Sequence, residues 1–280
     1  MRAWFAMLCI CGASALASPA RAQVDAPLTS PPAGPIADRL TLTFNGSTLS
    51  TASGGRGASV GWLRSLRSKA TIGLGVQHQT IADARWTFAS VNGAVTRTSD
   101  AGRNVTFQAE MHRGSGVDTG RSFDYAVTAV GVTGELTDRL SLRFESREID
   151  IDRTEGNLPK LGLSFAWNPR FSTDVAYARS VSGNLGTELV STRTDYFGDR
   201  IRLLFGAAFG EAAPSVVNLQ PGLAVPDGTS FRQFFGGIAK PLRRGELLAV
   251  ADTLELGASE RTTLTLAYTI PLRRGSASDR

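Results

Sequence analysis

The amino-acid sequence predicts an all-β chain, an antiparallel up-and-down transmembrane β-barrel of roughly 12 to 14 strands spanning residues 39–272. Three observations carry that expectation. Blocks of about ten residues with alternating apolar and polar side chains recur from Leu40 to Leu272. Tight turns and longer connections succeed one another along the chain. The leader is of secretory type, and after Gln23 no apolar run approaches the ~20 residues a membrane helix needs.

The alternation is clearest where Val105, Phe107, Ala109 and Met111 share one parity and Thr106, Gln108, Glu110 and His112 the other. A pleated strand puts these two sets on opposite faces. The same split recurs at Leu140, Leu142 and Phe144, and at Leu264, Leu266, Tyr268 and Ile270. Read this way, candidate strands centre near Thr43, Val60, Leu74, Phe88, Phe107, Val127, Leu142, Leu163, Val175, Val190, Leu203, Gly236, Val250 and Leu266.

Their connections sort into two kinds, as a meander with two distinct ends requires. Tight turns are expected at Ser65 to Ser68, Ser99 to Arg103, Thr137 to Arg139, Asn168 to Arg170, Gly198 to Arg200 and Arg243 to Gly245. Longer connections are expected at Ser47 to Gly55, Gly114 to Gly120, Ile149 to Pro159 and Glu211 to Gly228. Trp62, Trp86, Phe88, Phe144, Trp167, Tyr177, Phe205, Phe209 and Tyr268 fall on the apolar parity and suit aromatic girdles at the two membrane interfaces. The opposite parity is polar or small, with Gly73, Gly75, Gly162 and Gly206 suited to a narrow lumen.

Residues 1–22 read as a signal peptide: Arg2, an apolar run from Ala3 to Ala17, and Ala20 and Ala22 before cleavage ahead of Gln23. Residues 23–38, with four prolines, read as a flexible periplasmic leader, and 273–280 as a polar C-terminal tail. Both cysteines, Cys9 and Cys11, precede the cleavage site, so the mature chain carries no thiol chemistry. Removing Arg2 and Arg21 lowers the formal charge from +5 to +3, too little to argue for a nucleic-acid partner.

Catalytic signals are sparse. His78 and His112 are the only histidines, neither at a metal-ligand spacing, and there is no G-x-S-x-G elbow, phosphate loop or dinucleotide fingerprint. The chain is expected to be neither an enzyme nor the carrier of a cofactor or metal. The one catalytic alternative, an outer-membrane lipid hydrolase, would pair His112 with Ser115. Charged and ionisable residues on the wet parity form the candidate lumen lining: Arg85, Glu110, His112, Arg143, Glu145, Arg147, Glu188 and Arg202. Such a set either lines a hydrated path or forms an internal ion-pair network.

The signal peptide, Pro-rich leader and Gly-rich meander resemble a small outer-membrane β-barrel of a Gram-negative bacterium, and within that class the YaiO-like barrels. The nearest local likeness is the turn Tyr196, Phe197, Gly198, Asp199, Arg200 leading into Ile201 to Phe209. The resemblance implies an outer-membrane location, with membrane lipid, the barrel assembly machinery and a polysaccharide export system as partners. Such barrels commonly end on an aromatic residue, whereas here the last strand runs out at Leu272. The expected role is a channel, an export accessory or a structural surface protein. The alternative is a secreted soluble β-sandwich that binds a ligand or carbohydrate.

Overall fold

The computed structural model describes residues 38–50, 54–66, 69–81, 84–118, 120–151, 154–183, 185–212, 229–257 and 259–272. The expected signal peptide and C-terminal tail, and all but Asp38 of the expected leader, lie outside them.

Among the described residues fifteen strands are present: β1 (Arg39–Leu49), β2 (Gly55–Ser65), β3 (Ala70–Ile81), β4 (Ala84–Thr98), β5 (Asn104–Asp118), β6 (Arg121–Glu135), β7 (Leu140–Ile151), β8 (Thr154–Asn168), β9 (Phe171–Arg179), β10 (Ser182–Gly183), β11 (Thr187–Phe197), β12 (Arg202–Ala212), β13 (Thr229–Leu242), β14 (Gly245–Leu256) and β15 (Ser259–Pro271). Each long strand pairs antiparallel with the next, and β1 closes on β15 from Arg39↔Pro271 to Leu49↔Arg261. The two-residue β10 only extends the β8 ladder. The result is a closed barrel of fourteen strands, each of which contains the position where alternation centres it, although β5, β7 and β12 extend further toward the long-loop end than expected. A single sheet closed on itself has no second layer, which rules out the β-sandwich.

All six expected tight turns lie at the end that holds Arg39 and Pro271. At the other end two expected long connections are strand instead. β5 runs on to Asp118 before β6 starts at Arg121, and β7 runs to Ile151 before β8 starts at Thr154. The glycines that suggested a loop serve contact: a Cβ on Gly116 would lie 2.3 Å from the Phe123 ring and 2.8 Å from Trp86 Cβ. The carboxylates Asp150 and Glu155, read as loop residues, are exposed positions of strands that rise beyond the lipid. Pro159 occupies the gap between the β8–β9 ladder, which ends at Lys160↔Ala178, and the β8–β10 pairing at Asn157↔Ser182. A residue without an N–H fits where the ladder is interrupted. Most of the expected Glu211 to Gly228 connection falls outside the described residues.

Exposure fixes which face is which. Phe44, Val60, Leu74, Val76, Phe107, Met111, Phe144, Leu163, Phe205 and Leu266 are all exposed on the outer surface. A continuous belt of this extent belongs in lipid, because a water-soluble surface rarely exposes an apolar patch of more than a few hundred Å². Trp62, Phe144, Trp167, Tyr177, Phe205, Phe209 and Tyr268 share this outer face. Trp86 and Phe88 do not: they are 3% and 7% exposed and point inward.

The reason is a change of phase along several strands. In β4 the apolar set is Ala84, Trp86, Phe88 near the long-loop end and Val91, Val95 further down, on the opposite parity. β6 changes in the same way from Tyr125, Val127, Ala129 to Val130. Below the change the apolar residues meet lipid; above it they pack inside while Arg85, Asp124, Glu148 and Asp150 face outward. The wall from β4 to β9 therefore rises out of the membrane as an ordinary water-exposed sheet around a small apolar core.

Candidate functional site

The interior has three parts. At the long-loop end Trp86, Phe88, Tyr125, Val127, Ile149, Leu158 and Ala178 form the apolar core, and Leu185, from the connection between β9 and β11, inserts into it with no exposed surface. Phe88 stacks on Tyr125 at 5.1 Å and meets His112 edge-on at 5.5 Å.

Next to this core lies a charged layer on four neighbouring strands, β7, β8, β9 and β11. Arg147 Nη2 donates to Glu145 Oε1 at 2.8 Å, and Glu145 is 3% exposed. Arg193 Nη2 donates to Asp195 Oδ1 at 2.8 Å, and the two side chains form an ion pair, with Nε 2.7 Å from Oδ2. Asp174 accepts from Ser164 and sits opposite Arg193 in the ladder, while Lys160 sits opposite Glu145. Arg143 has room because its neighbours in the row are Gly162 and Ala176. Charge-assisted hydrogen bonds such as Arg147 to Glu145 and Arg193 to Asp195 are stronger than neutral ones.

The third part is the wall from β1 to β5, which is mostly neutral. Here a cavity of about 50 Å³ is bordered by Thr41, Thr43, Ser59, Gln77, Ser90 and Asn92, with Glu110 and His112 at its side. His112 Nε2 bonds to Glu110, and its buried Nδ1 has no partner among the described residues. Arg202 lies within 3.6 Å of Glu246 near the tight-turn end, and Arg261 within 3.6 Å of Asp252 near the other.

Of the eight residues expected to line the lumen, Glu110, His112, Arg143, Glu145, Arg147 and Arg202 are on the inward parity. Arg85 and Glu188 are not. Arg85 is exposed on the outer face above the change of phase, and Glu188 accepts a hydrogen bond from Tyr177 Oη at 2.8 Å on the outside. Lys160, Asp174, Arg193, Asp195, Asp252 and Arg261 also point inward and were missed, although counting by twos along each strand reaches them all. His112 and Ser115, three positions apart, stand on opposite faces, with Ser115 exposed outside, so the pair that the hydrolase alternative needs does not form. Among the described residues no group of three His, Cys, Asp or Glu side chains is placed to hold a metal ion.

No protein-family model and no curated protein sequence matches the chain. Its fold is that of outer-membrane β-barrels. It superposes on the CymD monoaromatic hydrocarbon channel with a TM-score of 0.58 at 11% identity, covering 85% of this chain and 89% of that one. The Pseudomonas putida toluene transporter TodX gives 0.54 at 11%, covering 91% and 94%. A Pseudomonas aeruginosa FadL homologue gives 0.53 at 9%, covering 84% and 90%. Identities this low establish the shared fold alone.

Proposed function

We propose that the protein is an outer-membrane channel for small polar solutes or ions, whose path runs along the neutral β1–β5 wall past Glu110 and His112. The supporting observation is the cavity bordered by Thr41, Thr43, Ser59, Gln77, Ser90 and Asn92, since hydroxyl and amide groups can replace water around a passing solute. The charged layer opposite sets the field in that path and holds the wall in shape. The apolar core around Leu185 narrows the long-loop end. The solutes of CymD and TodX are not carried over, and a narrower kinship with YaiO-like barrels rests on the turn Tyr196 to Arg200 and the strand after it.

The test is single-channel recording of purified protein in planar bilayers. Discrete conductance whose ion selectivity changes in Glu110→Gln supports the reading. Absence of conductance across a wide voltage range overturns it and makes a closed structural barrel or a polysaccharide-export accessory the better account.

A further inference from the structure

The two rims of the barrel differ in charge, and the difference lies where lipid headgroups would be. Each of the six tight turns carries a cation: Lys69, Arg103, Arg139, Arg170, Arg200 and Arg243, all exposed. Three more stand on the outer face of strands. Arg64 follows Trp62, Arg97 follows Val95 and Lys240 follows Ile238, each two residues on and so at the next outward position beyond the apolar belt. Three exposed acids, Asp100, Asp138 and Asp199, share this rim, and Arg170 reaches Asp199 at 3.4 Å. At the opposite rim the outward cations Arg56, Arg85, Arg113, Arg179 and Arg232 are outnumbered by Asp124, Glu148, Asp150, Glu155, Glu188, Glu211, Glu255 and Glu260.

We propose that the tight-turn rim is a docking ring for anionic phospholipid headgroups in the leaflet it faces, which in barrels of this architecture is the periplasmic one. Long basic side chains just past an apolar belt extend their charge to the phosphate level while their stems stay against acyl chains. The aromatic residues at this end fix that level: Trp167 Nε1 donates to Thr173 Oγ1 at 3.0 Å, and Tyr268 Oη lies 3.4 Å from the Arg244 carbonyl oxygen. A ring distributed over the whole circumference suits a shell of lipids rather than one soluble partner. The proposal rests on the barrel's spanning a bilayer and is independent of whether it conducts.

Tryptophan quenching tests it, because Trp62 and Trp167 face outward near this rim whereas Trp86 lies inside at the other end. The refolded mature protein is placed in phosphatidylcholine vesicles containing increasing fractions of brominated phosphatidylglycerol or, separately, brominated phosphatidylcholine. The anionic lipid should occupy the shell with a preference of about fivefold at low salt, falling toward one as sodium chloride is raised. The preference should vanish in Arg64→Gln/Arg97→Gln/Arg170→Gln/Lys240→Gln and persist in Arg56→Gln/Arg85→Gln/Arg113→Gln/Arg179→Gln. Equal quenching by both lipids in the wild-type protein overturns the proposal even if the rim variant fails to fold. Retention of the preference in a folded rim variant overturns it as well. Binding of soluble polyglutamate without any lipid preference assigns the ring to an acidic protein partner instead.

Discussion

Replacing Phe107 by arginine should cripple insertion, whereas the same replacement one residue later should not. On β5 the outward positions run Val105, Phe107, Ala109, Met111 and then Arg113, where the apolar belt ends. At about 3.4 Å per residue and a tilt near 40°, each residue climbs about 2.6 Å, so Val105 to Arg113 spans about 21 Å of a belt about 25 Å tall. Phe107, 53% exposed, thus lies about 5 Å from the middle of the belt near Ala109. An outward arginine costs about 2 to 4 kcal/mol at the midplane and falls to about 1 or less at the interface, so Phe107→Arg should cost about 2 kcal/mol or more. Gln108 points into the barrel beside Gly131 and meets polar surroundings. Reversible folding into phospholipid vesicles, followed by urea titration and by the mobility difference between unheated and boiled samples, reads both variants. Equal losses of stability would refute the assignment of faces.

Neutralising Arg143 and Arg147 together should shift the reversal potential toward cation selectivity; because Arg147 is the 2.8 Å partner of a nearly buried Glu145, the change should also cost about 3 to 5 kcal/mol in urea unfolding. Leu185→Ala should lower stability by about 2 to 5 kcal/mol and raise any single-channel conductance, since it removes a fully buried side chain from the apolar core at the long-loop end. Gly206→Ala should slow or block assembly on gels, because its Cβ would lie 2.2 Å from the Thr192 carbonyl oxygen and 2.4 Å from the Phe235 ring, while Gly46→Ala, with nothing within 4 Å, should assemble normally.

Sequence alone determined that the chain is a β meander of 12 to 14 strands, where the candidate strands lie and that tight turns gather at one end. Those features follow from period-two alternation and turn chemistry, both local, so neighbouring residues suffice to reveal them. The parity of Phe107, Phe144 and Leu266 was legible for the same reason. That His112 and Ser115 face apart was legible too, from their spacing of three. Closure was decided only in three dimensions, because the pairing of Arg39 with Pro271 joins the two ends of the barrel sequence. So was the meaning of an apolar parity: alternation reports that two faces differ, not which one meets lipid. Trp86 and Phe88 alternate as cleanly as Val91 and Val95, yet they pack inside, because at their height the surroundings of the wall are water and the apolar face must turn inward to be buried. The same boundary puts Arg85 outside. The charged layer that joins Arg143, Glu145 and Arg147 to Lys160, Asp174 and Arg193 depends on strand register, which aligns residues of four strands in adjacent rows and which no single strand's sequence contains.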